Sequence, residues 1–202
     1  MNHSPATQPT FLRPWLTWTA GFLAFPIAGL VGAAPLGRVD DPAAALIGGA
    51  VTGLVLGAGQ ALASRGRLNP RRWAAATAIG MGLGLLLGAT TVDYGTSLSD
   101  LALMGALTGM ILGPAQAVAL PPGSRMRWVW AAAAPVLWAL GWTATMLGGI
   151  SVEEQFTVFG AYGALTYASL SGVLLHVLLP TSSVSRPVTA DRTVDAHAGV
   201  RA

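Results

Sequence analysis

Six long apolar runs, free of Asp, Glu, Lys and Arg, dominate this sequence, and short linkers between them hold most of the charge. The runs are Trp15–Gly37, Pro42–Ser64, Trp73–Val92, Leu101–Leu120, Trp128–Ile150 and Phe156–Leu179. A bilayer core of about 30 Å is crossed by roughly 20 residues of α-helix, which is the length of each run. Strands of a membrane barrel would alternate apolar and polar residues over about ten positions, whereas these runs are continuously apolar. Charged residues make up 9% of the 202, against about 25% in soluble domains, so a water-soluble fold is excluded. The predicted fold class is all-α, an integral membrane bundle of six transmembrane helices.

The linker charges predict an orientation, because Arg-rich short loops stay cytoplasmic. With the N-terminus inside, Arg13, Arg65, Arg67, Arg71, Arg72, Arg125, Arg127, Arg186, Arg192 and Arg201 fall inside and only Arg38 falls outside. Asp40, Asp41, Asp93, Asp100, Glu153 and Glu154 then lie outside, with Asp191 and Asp195 inside. Both termini are expected in the cytoplasm, the membrane being the inner membrane of a bacterium. Residues 1–12 and 180–202 read as disordered polar tails flanking a domain over 13–179. Val31-Gly32-Ala33 looks like a signal-peptidase site, but the run before it exceeds the 7–15 residues of a signal core, so the first span is expected to be retained.

Self-comparison predicts a threefold repeat. Gly49, Gly53, Gly57 and Gln60 recur as Gly105, Gly109, Gly113 and Gln116, and in relaxed form as Gly160, Ala164, Ala168 and Ser171. Each copy follows an Arg, a Trp, an apolar run and an acidic linker, starting at Arg13 with Trp15, Arg72 with Trp73 and Arg127 with Trp128. The unit is a helical hairpin, at about 13–64, 71–120 and 125–179, with the three related by a pseudo-threefold axis. Residues four apart share a helix face, so the Gly steps should form side-chain-free grooves that admit another helix.

Candidate chemistry is sparse. Gln60, Gln116 and Ser171 would reach similar depth around the axis, as interhelical hydrogen-bonding groups or as the lining of a narrow passage. His176 is the only His among the six runs and reads as an interfacial residue. Glu153 and Glu154 lack the spacing of a metal site, and Ser171 and His176, five apart on one helix, point too far apart to act as nucleophile and base. The chain has no Cys and no Lys, which removes thiolate chemistry and a phosphate-loop lysine. No cofactor, no metal, no nucleic-acid partner and no enzymatic activity are expected. Arg65, Arg67, Arg71 and Arg72 form a cluster suited to anionic lipid headgroups.

The tandem G-x-x-x-G-x-x-Q hairpins with their Arg–Trp starts resemble those of a loose group of uncharacterised small multi-pass bacterial membrane proteins. The resemblance covers roughly residues 13–179 and implies a repeat architecture without a transferable activity. The expected function is non-enzymatic: a structural, interaction or accessory subunit, as a homo-oligomer or with another membrane protein. The alternative is a small permease or channel for a neutral or weakly polar solute along the repeat axis.

Overall fold

The computed structural model describes residues 11–121, 127–150, 152–153 and 155–178. Of the charges assigned to sides of the membrane, Arg125, Glu154, Arg186, Asp191, Arg192, Asp195 and Arg201 lie outside the described residues, as do both tails apart from Phe11 and Leu12. Among the described residues the regular structure is entirely helical. Six helices are long and apolar enough to cross a membrane: Leu12–Ala33, Ala44–Ala63, Pro70–Thr91, Leu98–Ala119, Arg127–Leu147 and Ala161–Leu178.

The first span is two α-helices, α1 (Leu12–Thr19) and α2 (Ala24–Ala33), joined by a 3-10 turn over Ala20–Leu23. Pro26 accounts for the break, since it lacks an N–H and its ring displaces the carbonyl four residues back, in that turn. The second span opens with a π turn, Ala44–Gly48, continuing into α3 (Gly49–Ala63). Asp41 Oδ1 starts it by accepting from Ala43 N at 2.7 Å and Ala44 N at 2.9 Å. The third span, α4 (Pro70–Thr91), begins with Asn69 accepting from Arg72 N and with Pro70 at the first helical position. The fourth, α5 (Leu98–Ala119), begins with a capping box between Ser97 and Asp100. The fifth is α6 (Arg127–Leu147) and the sixth α7 (Ala161–Leu178).

Each span packs its backbone against its neighbours in sequence, and the sixth closes on the first. The result is a ring of six helices whose centre is filled by side chains. One layer of the core joins Phe25, Trp138, Phe159 and Tyr167 with Leu56, Met81, Leu85 and Met104. A second gathers Trp18, Trp73, Trp130, Leu68 and Leu175.

The sixth span differs from expectation. Phe156–Gly160 is not helical, and α7 starts only at Ala161. Instead, Val152, Gln155, Thr157, Val158 and Phe159 are buried as an irregular segment. It enters the ring between the first and fifth spans, with Phe159 stacked on Phe25 at 5.2 Å and tilted against Trp138 at 4.9 Å. Irregular backbone is tolerated at such depth where protein surrounds it. Several of its polar groups are bonded to the ring: Val39 N donates to Gln155 O at 3.0 Å, Gln155 Nε2 to Gly95 O at 2.6 Å, and Thr52 Oγ1 bonds Thr157 Oγ1 at 2.7 Å, while Gln155 Oε1 is buried without a partner among the described residues.

Candidate functional site

Gln60, Gln116 and Ser171 are 4%, 1% and 0% exposed, and each is bound to an indole. Trp73 Nε1 donates to Gln60 Oε1 at 2.9 Å, Trp130 Nε1 to Gln116 Oε1 at 3.0 Å, and Trp18 Nε1 to Ser171 Oγ at 3.0 Å. In each pair the acceptor lies on an even-numbered span and the donor on the next odd-numbered one, with the last pair running from the sixth span to the first. Gln116 Nε2 also donates to Thr77 Oγ1 at 3.0 Å, and that hydroxyl donates to Trp73 O. Side-chain amides of Gln60 and Gln116 are therefore committed within the protein.

The three indoles converge. Trp130 meets Trp73 at 5.6 Å and Trp18 at 6.4 Å between ring centroids, both edge-to-face. Such pairs add about 0.5–1.5 kcal/mol beyond area burial. They fill the ring towards the end that bears Arg65, Arg71 and Arg72, while the Val152–Gly160 segment fills it towards the end that bears Asp40, Asp93 and Glu153.

The glycines lie at backbone contacts between the same neighbours. A Cβ on Gly49 would stand 2.9 Å from Met81 O, on Gly53 2.5 Å from Thr77 O, and on Gly57 2.8 Å from Ala74 Cα, all on α4. On α5, a Cβ on Gly105 would stand 2.8 Å from Trp138 O, on Gly109 2.5 Å from Ala134 O, and on Gly113 2.7 Å from Ala131 O, all on α6. At Gly49, Gly53, Gly105, Gly109 and Gly113 the Cα–H in place of the Cβ points at a carbonyl of the facing helix, a recurring weak hydrogen bond at helix interfaces. Gly80, Gly84 and Gly88 make the same approach to Leu112, Thr108 and Met104 from the other side of α4. Gly160 and Gly163, before and within α7, face Thr145 and Gly141 instead.

His176 stands apart from the polar pairs. It is half-buried near the end of α7, edge-on to Phe11 at 4.7 Å, and its Nδ1 has no hydrogen-bond partner among the described residues. Ser171 and His176 do not meet: the Ser171 hydroxyl contacts Trp18 Nε1 and Ala168 O.

Two cavities lie towards the acidic end. One, of about 310 Å³, is polar and lined by Arg38, Asp40, Tyr94, Thr96, Glu153 and Gln155. Burial and the carboxylates of Asp41, Asp93 and Asp40 raise the Tyr94 pKa above its ordinary value. Arg38 Nε bonds Asp40 Oδ2 at 3.1 Å. The other, of about 360 Å³, is apolar and lies between the first and fifth spans. Neither includes Gln60 or Gln116 in its lining. No group of three or more metal-ligating His, Asp or Glu occurs among the described residues. At the opposite end, burial lowers the Arg67 pKa, and its Nε donates to Ser64 O at 3.0 Å.

Sequence reading identified Gln60, Gln116 and Ser171 but not their partners. Trp15 and Trp128 are the residues beside Arg, yet Trp18 and Trp130 hold the pairs; Trp128 is 55% exposed. The signal was available in spacing, because Trp18, Trp73 and Trp130 are separated by 55 and 57 residues, close to the 56 between Gln60 and Gln116. No protein-family model matches the sequence, and neither a curated protein nor a solved structure is similar to it.

Proposed function

We propose that the protein is a non-enzymatic multi-pass protein of the bacterial cytoplasmic membrane, serving as a structural, interaction or accessory subunit. It is a set of three helical hairpins, at about 13–64, 71–120 and 125–179, around a pseudo-threefold axis. Both termini lie in the cytoplasm. The orientation is supported by the segregation of Arg13, Arg65, Arg67, Arg71, Arg72 and Arg127 from Asp40, Asp41, Asp93, Asp100 and Glu153. The repeat is supported by the cyclic order of the Trp73–Gln60, Trp130–Gln116 and Trp18–Ser171 bonds.

One observation carries the functional reading. The polar groups that a passage along the axis would use are instead bonded to indoles, and those indoles pack edge-to-face across the centre. A pore lining leaves donors and acceptors facing water, whereas these are taken up by the protein itself. The Gly contacts serve the same end, since close backbone approach is what holds helices together in lipid.

The alternative, a small permease or channel for a neutral or weakly polar solute, draws on one feature. The segment 155–160 occupies the mouth at the acidic end without helical bonding of its own, so its withdrawal would expose the interior. Solute flux separates the two readings. Vesicles containing the purified protein should admit water and small neutral solutes no faster than protein-free vesicles; faster entry, abolished by Gln116→Leu, would establish the channel. An affinity pulldown from native membrane should in turn recover either a second copy or another membrane protein.

A further inference from the structure

We propose that the apolar crevice between the first and fifth spans holds one acyl chain of a membrane lipid. The inference rests on the bilayer-spanning reading and is independent of the choice between subunit and channel.

The crevice exists because the helix of the sixth span starts late. Where its first turns would fill the ring, the wall is the irregular segment 155–160, which turns Val158 and Phe159 inward and leaves a gap beside Pro26, Gly29 and Leu30 of α2. Trp142 and Phe159 line the gap from the protein side. Its mouth is bordered by Leu30, 77% exposed, and Phe156, 48% exposed. Leu30 continues an exposed apolar strip on the first span that includes Ile27 and Leu23, 57% and 59% exposed. That strip faces hydrocarbon in a bilayer, so the crevice is an inward extension of the lipid-facing surface.

The chemistry of the lining selects an apolar occupant. Its polar side-chain groups are the Trp142 indole N–H and the Thr145 hydroxyl, and the latter donates to Gly141 O at 2.9 Å and accepts from Gly160 N at 3.1 Å. A water there would lack the two to four polar partners it needs. A volume of about 360 Å³ falls within the range of ligand pockets, about 300–1,000 Å³. Left empty, the aromatic walls would forfeit dispersion contacts that a polymethylene chain supplies.

The test is photo-crosslinking of the full-length protein in vesicles doped with a phosphatidylcholine that carries a diazirine on one acyl chain, with adducts mapped by mass spectrometry. Adducts should fall several-fold more densely on Phe25–Leu30 and 152–160 than on Leu62 and Val118, which are 78% and 72% exposed elsewhere on the ring. Crevice adducts should also saturate as the probe fraction rises, while those at Leu62 rise in proportion. Gly29→Phe, whose Cβ would sit 3.2 Å from Val158 Cγ1, should reduce the crevice adducts several-fold and leave Leu62 unchanged. If that variant does not fold, the saturation measurement on the wild type decides. Uniform, unsaturable labelling would overturn the proposal. Absence of adducts at Leu62 and Val118 as well as the crevice would instead overturn the bilayer-spanning reading beneath it.

Discussion

Gln116 spends its whole side chain inside the fold: the carbonyl takes the Trp130 indole and the amide N–H goes to Thr77. Gln60 likewise bonds the Trp73 indole and reaches the Tyr167 hydroxyl. Interhelical hydrogen bonds in membranes average about 0.6 kcal/mol with a ceiling near 1.7. Gln116→Leu and Gln60→Leu are therefore each expected to cost about 1–2 kcal/mol, read as thermal stability in detergent; an unchanged melting temperature for either would contradict the bonding described. Gly109 offers a sharper test. An added Cβ meets Ala134 O and Pro135 Cα, both backbone, so Gly109→Ala should lower the melting temperature while Leu62→Ala on the lipid face leaves it unchanged. These glycines and glutamines were legible in the sequence because their spacing recurs. The indoles were not, because Trp15 and Trp18, like Trp128 and Trp130, stand close together and only helical phase and packing choose between them.

Helices are the scale at which the sequence was most readable. Six uncharged runs became six long helices, since backbone groups in hydrocarbon must be satisfied within the segment itself. The exception is the stretch before Ala161, apolar enough to be counted into the sixth span yet folded as irregular chain. Its hydrophobicity reports burial, which a helix in lipid and a segment inside a ring share equally. Phe159 secures that segment by packing on Phe25, Trp138, Trp142 and Tyr167. Phe159→Ala is expected to cost about 3–5 kcal/mol, as large-to-small core changes do, and to show as loss of detergent stability. The absence of native Cys makes the span count directly testable. Thr96→Cys should react with a membrane-impermeant thiol reagent from outside the cell and Arg65→Cys should not; equal reactivity would rule out the orientation.

At the scale of the whole molecule the six helices make a closed circuit rather than a row. The charge pattern could supply alternating direction, but not closure, which depends on Trp15 donating to Ser169 O at 3.0 Å and Trp18 reaching Ser171 across 153 positions of sequence. This seam has a consequence during synthesis. Every other helix–helix backbone contact joins consecutive spans and can form as the chain is made, but the first span meets its second neighbour only when the last one arrives. At about 5–20 residues per second, the 153 positions between Trp18 and Ser171 take about 8–30 s to translate. Throughout that interval the nascent protein is an open arc in the membrane, with the indole of Trp18 waiting for its acceptor, so the final helix to be inserted is the one that seals the ring.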